Sequence, residues 1–349
     1  MMPCLFPYDA LSFNGIGYGV LQRVVSCDVR QELGSTGVYE LKMEILTDDP
    51  LFNYIKVGNI IVSKPNLTDR NQAFVIEEIT KPINNLVSVY ATHIAQHLAK
   101  LIPVAPINAT DLGDAIYQIH SNSLERNPFS LQTNRSVSAS YQTNTPRSLR
   151  DILGGVDGSL LDVYGGEYIW DNRIITLVNK RGRDNGVQVV YGQNMTGFEM
   201  KEEFNFEKSI TGILPYWYSE DEGLVQGSIQ YSDYVNYYKF KKTIVKDYTD
   251  DFEDKPLAAV LNSKAAADVK ELGFPTTNIK VAMNQFDEKI QGDVMIMQLG
   301  DQVKVINPNY LVNMTSRIVA LDFNVLSEQY NEIEIGQLEP SINEVIKQI

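Results

Sequence analysis

Residues 298–337 read QLGDQVKVINPNYLVNMTSRIVALDFNVLSEQYNEIEIGQ. Val303 and Val305 alternate with polar neighbours, Asn307-Pro308 marks a turn, and Arg317-Ile318-Val319-Ala320-Leu321 resumes the β-branched texture of a strand. The stretch predicts strands joined by turns, with no catalytic constellation on them. Such a unit reads as a builder of assemblies rather than a catalyst.

The same texture fills the chain from residue 1 to Tyr90. Val38 to Leu46 alternates for most of its length, and Gly58 to Val62, Ala73 to Ile79 and Leu86 to Tyr90 follow. Short strands at this spacing predict an antiparallel barrel or sandwich. Thr92 to Leu101 then turns helical and stops before Pro103. A second helix is predicted from Thr110 to Ser121, capped by Thr110 or Asn108, with Leu112, Ala115, Ile116 and Ile119 on one face. The Ser/Thr/Asn-rich stretch 122–147 reads as loop or weakly ordered strand, and a short helix runs from Ser148 to Leu153 before Gly154-Gly155. A meander is predicted next: Gly165 to Trp170, a turn at Asp171-Asn172, Arg173 to Asn179, a turn in Arg181 to Gly186, and Val187 to Tyr191. Strand candidates in the last third are Met195–Phe206, Ser209–Ser219, Leu224–Ile229, Tyr237–Ile244 and Thr277–Phe286. A helix opens at Lys255-Pro256 and continues from Leu257 to Leu272, with Asp254 as its expected N-cap.

The expected fold is therefore mainly β with α+β parts. Its expected divisions are a first β-barrel domain with a closing helix at 1–105 and an α/β domain with a β-meander at 106–193. A second β-barrel domain combines 194–253 with 294–340; 254–293 forms a helical and strand insert, and 341–349 a tail.

Composition narrows the function classes. The 349 residues hold 44% hydrophobic and 21% charged side chains, an ordinary globular balance with no sign of disorder. Tyrosine dominates the aromatics, 19 against 2 tryptophans, and suits contact surfaces as well as cores. A formal net charge of −14 disfavours stable nucleic-acid binding and adhesion to anionic membrane. No apolar run is long enough to insert in a membrane as a helix, and the first residues lack the flanks of a secretory signal. Cys4 and Cys27 read as two free thiols, with a bridge between them as the alternative.

No residue set is assigned a catalytic, cofactor-binding or metal-binding role. His93 and His97 sit four apart on a predicted helix, but Ile94 stands where a zinc-protease motif needs Glu, and His120 is the only other histidine. Gly15-Ile16-Gly17-Tyr18-Gly19 does not fit a nucleotide fingerprint and reads as a turn between strands. The carboxylates Glu202, Glu203, Asp221, Glu222, Asp250, Asp251, Glu253 and Asp254 show no spacing that marks a glycosidase pair or an EF-hand. Those just before the predicted 255–272 helix complement its dipole.

Three segments resemble the phage tail hub family, also known as prophage tail or tail-associated lysin N-terminal proteins. The first is Val38 to Ile45 with Val57 to Val62, Gln72 to Ile76, and Ala91-Thr92-His93-Ile94. The second is Leu153-Gly154-Gly155, Tyr164-Gly165-Gly166-Glu167-Tyr168-Ile169-Trp170-Asp171-Asn172-Arg173-Ile174 and Arg181-Gly182-Arg183-Asp184-Asn185-Gly186. The third pairs Thr211 to Tyr216 with Leu299-Gly300-Asp301-Gln302-Val303-Lys304-Val305. Ala95-Gln96-His97-Leu98 departs from the aromatic and acid that usually follow the first motif. The resemblance implies two β-barrel-like tube domains plus two smaller α/β domains, baseplate-hub-like, assembled as a homotrimer. It implies as partners a distal tail protein, a tape-measure protein and a tip or receptor-binding protein. The implied location is the virion tail tip, after synthesis in the bacterial host cytoplasm. The cell-wall hydrolase domain of longer members is expected to be absent here. A tail-associated peptidoglycan endopeptidase and a secretion-system spike protein are the alternatives. Three copies would carry −42, three times −14, so a channel lined by part of that charge would repel DNA.

Overall fold

Alternation sets the largest sheet. Strand Val24–Glu32 buries Cys27, Val29 and Gln31, and strand Tyr39–Leu46 buries Tyr39, Leu41, Met43 and Ile45. They pair antiparallel with Val29 opposite Leu41, so both buried rows lie on one face. Leu86–His93 continues the ladder with Ala91 opposite Leu41, and Gln72–Ile79, Ile60–Ser63, Cys4–Phe6 and Gly19–Val20 follow in spatial order. The computed structural model describes residues 2–34, 37–81, 83–190, 197–203, 210–233, 235–237, 240–252, 254–272, 276–282, 297–307 and 312–336. Strands take 42% of the chain and helices 17%, the mainly β architecture with α+β parts that the sequence predicts.

The closing strands complete the same sheet. Val312–Asn324 shares out its length. Its first residues pair with Gln302–Asn307, and Ala320 to Asn324 pair with Val24–Glu32, Phe323 facing Val29. Gln329–Gly336 returns antiparallel after Glu328, which sits at φ 54°. Among the described residues thirteen strands make one sheet, and no closed barrel forms.

The compact units follow boundaries other than the expected ones. One comprises Met1–Glu199 and Ile279–Glu339; the other comprises Met200–Asn278. The expected grouping of 194–253 with 294–340 thus divides. Strands 302–336 join the sheet begun at Val24, because Leu321 and Phe323 extend the apolar row already presented by Val29 and Leu41.

Several element boundaries also shift. The strand expected to end at Tyr90 runs on to His93, and the helix spans only Ile94–Ala99. The second helix is Leu112–Ser121, and its cap is Asp111, whose side chain accepts from Asp114 N at 2.9 Å. Leu149–Leu153 is capped by Ser148, and a further short helix, Leu160–Tyr164, is capped by Ser159. Ser130–Thr133, inside the Ser/Thr/Asn-rich stretch, lies parallel to Ile174–Val178, which pairs antiparallel with Glu167–Asp171. Asp184–Val190 leaves this meander and runs parallel to Gln302–Asn307 in the large sheet. Its Asp184-Asn185-Gly186 run is therefore an irregularity within a strand rather than a hairpin turn. Parts of the expected strands 195–206 and 277–286, the turn at Pro308 and the tail at 341–349 lie outside the described residues.

The second unit is a two-layer arrangement. Gly212–Ser219 is its central strand, with Gly223–Gln226 and Gln230–Tyr231 antiparallel to it and Thr243–Asp247 parallel. Helix Ala258–Leu272 covers one face, where Leu261, Ala265 and Val269 meet Ile213, Trp217 and Tyr248. The helix begins after Asp254, so that residue does not cap it. Helix and sheet share one buried polar cluster. Lys246 Nζ donates to Asp268 Oδ2 at 2.6 Å, and Tyr248 Oη donates to the same oxygen at 2.9 Å. Lys246 is buried, so removing its partner strands a charge. Asp268→Ala is expected to destabilise this unit by about 3 kcal/mol, against less for Lys246→Met/Asp268→Leu together. Urea unfolding followed by tryptophan fluorescence, with Trp217 as reporter, measures both.

Candidate functional site

The hairpin Glu167–Asp171/Ile174–Val178 exists because Asn172 accepts a left-handed conformation, φ 53°. The same residue anchors the hairpin tip to the large sheet. Asn172 Oδ1 accepts from Ala73 N at 2.8 Å, Asn172 Nδ2 donates to Asn71 O at 3.0 Å, and Asn172 N donates to Gln72 Oε1 at 2.7 Å. Gln72 Nε2 donates to Asp171 Oδ1 at 2.9 Å, and Arg70 Nε reaches the same oxygen at 2.5 Å. Gln72 Oε1 also lies 3.0 Å from His93 Nε2. Since that oxygen only accepts, His93 carries its proton on Nε2, and its Nδ1 accepts from Ala95 N at 3.3 Å. The imidazole is fully buried, stacked on Tyr39 at 4.3 Å with the rings 7° apart. Burial pushes its pKa down to about 3.

A second junction ties the base of the hairpin to the closing strands. Arg317 grips Glu167 with two hydrogen bonds, Nη1 to Oε1 at 2.8 Å and Nη2 to Oε2 at 2.9 Å, and Glu167 Oε2 accepts a third from Arg181 N at 2.7 Å. Burial alone would raise the Glu167 carboxyl, but the bonds from Arg317 and Arg181 outweigh it and hold it below its ordinary value. Arg317 also donates to the carbonyls of Gly300 and Arg181. Asp301 is fully buried. Its Oδ1 accepts from Arg183 N at 2.7 Å, and its Oδ2 from Gln298 N at 2.9 Å. Gly182 and Gly300 pass each other at this crossing with φ of 79° and 92°. A Cβ on Gly182 would lie 2.0 Å from the Gly300 carbonyl carbon, a distance no side chain tolerates.

The two junctions contain several of the motifs that carry the resemblance. Gly165 to Ile174, Arg181 to Gly186 and Leu299 to Val305 meet in one place, and their polar side chains hold segments of chain together. Gln72, Arg181 and Arg317 organise the contacts; the sequence places them in motifs and strands but assigns none of them a role. Only the pairing of distant segments reveals them.

Other sequence candidates go elsewhere. His97 pairs with Glu77 at 2.7 Å, while His93 ends a strand, so the two do not share a helix face. His120 is exposed. Gly17, at φ 60°, turns the chain between Cys4–Phe6 and Gly19–Val20, as the turn reading expects. Asp250 and Asp251 lie in a single 3₁₀ turn, and Asp251 pairs with Lys264 at 3.5 Å. Asp221 and Glu222 are exposed on a hairpin tip; Glu253 and the side chains of Glu202 and Glu203 lie outside the described residues. Cys4 and Cys27 are free, and burial raises the pKa of both thiols. Among the described residues no three His, Cys, Asp or Glu side chains cluster as metal ligands.

Comparison with solved structures shows what the fold is similar to. The fold is that of prophage tail proteins over essentially the whole chain. Tail protein gp18 from Listeria monocytogenes EGD-e superposes with a TM-score of 0.59 at 15% identity, covering 100% of this chain and 98% of that one. The 43 kDa tail protein of prophage MuSo2 from Shewanella oneidensis gives 0.62 at 9% identity, covering 97% and 99%. A tail protein from Neisseria meningitidis MC58 gives 0.61 at 9% identity, covering 99% and 98%. Residues 183–346 match the Prophage_tail family model, described as prophage endopeptidase tail, and the resemblance to the phage tail family read from the sequence holds. No curated protein matches the sequence.

Two outcomes test the junctions. Gly182→Ala is expected to remove at least about 3 kcal/mol, because it combines a backbone clash with an unfavourable φ. A thermal melt of the variant beside Gly186→Ala, which has open space around it at φ 68°, isolates the clash. The second outcome concerns His93. Its folded pKa lies below the unfolded value of 6.5, so the unfolded chain takes up the proton first as pH falls. Stability is full above 6.5 and declines towards pH 3 by up to about 1.4 kcal/mol per unit from this residue. Urea midpoints between pH 7 and pH 4 should fall less steeply in His93→Gln.

Proposed function

We propose that this chain is a structural hub of a phage tail tip, three copies of which form a ring joining the tail tube to the tip. The single observation that carries the reading is the tail-protein fold over the whole of this sequence, together with what the motifs behind the resemblance do. Glu167, Asn172, Gly182, Gly300 and Asp301 are committed to scaffold contacts. The edge of the large sheet supports self-association. It ends at Gly19–Val20, and Tyr8, Leu11, Ile16 and Tyr18 in the segment leading to that edge are exposed. In the virion such a ring meets a distal tail protein above, a tape-measure protein within and a tip or receptor-binding protein below. A net charge of −14 suits a ring that lets DNA pass without holding it.

The endopeptidase in the family's description motivates the opposing reading. One route to peptidase chemistry at neutral pH runs through a histidine near its ordinary pKa or an accessible thiol. His93 is sealed and neutral, and Cys27 is buried with a raised pKa. Neither residue supports that reading, and the one favoured here is a structural role. Light scattering of the concentrated chain and negative-stain images of the tail are expected to show a three-membered ring. A stable monomer in both would overturn it, and clearing of a peptidoglycan zymogram by the purified chain would establish the hydrolase.

A further inference from the structure

Basic side chains converge on one cleft of this acidic protein. Lys180, Arg181 and Arg183 are nearly consecutive where the chain leaves the hairpin strand Ile174–Val178, and Arg135 faces them from after strand Ser130–Thr133. Together they line a cavity of about 560 Å³, and among the described residues no carboxylate stands on its wall. The chain as a whole has 44 acidic and 30 basic residues, so a carboxylate-free wall with four cations departs from its average.

The four cations differ in how they are held. The Arg135 guanidinium donates to the carbonyls of Tyr164 and Gly165, each at 2.6 Å. It is thereby fixed in place by neutral acceptors; among the described residues it makes no ion pair, and further N–H donors remain. Arg181 is half-buried and donates to Tyr168 O at 3.3 Å, and Asp69 and Glu167 place negative charge near it. Lys180 and Arg183 are exposed, and their side chains make no ion pair among the described residues. The Arg183 backbone is nevertheless rigid, since its amide is bonded to buried Asp301. The site is thus held in place by the Asp301 junction while its charged ends stay free. Between the cations the wall offers Asn134, Ser136, Asn179 and Gln298, which both donate and accept hydrogen bonds.

We propose that this cleft binds a phosphate group carried on a sugar or polyol. The fixed and free cations match a phosphate, and the amides and hydroxyl match the neighbouring hydroxyl groups. The volume falls within the range of small-ligand sites, and a wall this polar suits a hydrophilic ligand. Nucleic acid is disfavoured, because four cations in one cleft make no track along a phosphate backbone and the net charge of −14 opposes it. The proposal stands apart from the ring reading, since a monomer carries the whole cleft.

Isothermal titration of the purified chain tests it, using glucose 1-phosphate, inorganic phosphate, glucose, a thymidine oligonucleotide and a Glu-rich hexapeptide as probes. Glucose 1-phosphate is expected to bind more tightly than inorganic phosphate, and glucose not at all. Lys180→Glu/Arg183→Glu, with both side chains at the surface, should keep the wild-type melting temperature and weaken binding by about tenfold or more. Equal binding of glucose 1-phosphate and inorganic phosphate would reduce the cleft to an adventitious ion site and overturn the proposal. So would unchanged affinity in the double variant, or tighter binding of the oligonucleotide or the acidic peptide.

Discussion

Arg317 and Glu167 are 150 positions apart in the chain, and their paired hydrogen bonds fix how the hairpin layer meets the large sheet. Much else in this unit depends on that grip. Arg317 reaches Glu167 only because Gly182 and Gly300 let two backbones cross in contact. Asp301 can take the amides of Arg183 and Gln298 only once that crossing is made. The pair is largely buried, so its desolvation cost is offset by the bond from Arg181 N and by the carbonyls that take the remaining Arg317 donors. It contributes less to net stability than to specifying one arrangement, a role that isolated surface pairs do not fill.

Local texture was legible in the amino-acid sequence wherever a strand has one buried face. Tyr39 to Leu46 and Leu86 to Tyr90 alternate, and both are strands. What the residues do not state is which strand each will lie beside. Val303 and Leu321 look alike as sequence, yet one row pairs with Asp184–Val190 and the other reaches Val24–Glu32. Boundaries failed where two local signals compete. Thr92 and His93 have helical neighbours, but pairing with Gln72–Ile79 draws them into the strand. At Thr110 a good capping residue loses to Asp111, whose carboxylate reaches Asp114 N. Asp184-Asn185-Gly186 has hairpin chemistry, and the parallel neighbour Gln302–Asn307 makes it a bulge instead.

The candidate site was legible in a different sense. The motifs were visible, but their chemistry was not, because each residue is half of an interaction completed elsewhere. Glu167 alone is one more carboxylate among 44 acidic residues. His93 alone resembles a metal ligand or a base, and only Gln72 and Tyr39 reveal a neutral ring locked in a core. The basic cleft was hidden for the same reason: Arg135 lies 45 positions from Lys180, in a stretch that reads as polar loop. Shared folds at 9–15% identity fit this picture, since contacts of this kind constrain a few positions and leave the rest free.

The pairing of Val24–Glu32 with Val312–Asn324 also sets an order of events during synthesis. Arg30, on the first of these strands, reaches past the second to Glu334 on Gln329–Gly336, 304 positions away. A ribosome needs roughly 15 to 60 seconds to make that much chain. For that interval one edge of Val24–Glu32 lacks its final neighbour, while its other edge is already paired with Tyr39–Leu46. An unfilled edge beside a finished hairpin accepts the same strand from any chain that offers it. On a polysome, where identical nascent chains crowd together, the closing strand of a finished copy competes with the chain's own. The long separation that makes the sheet continuous therefore also makes strand exchange between copies a hazard of its birth.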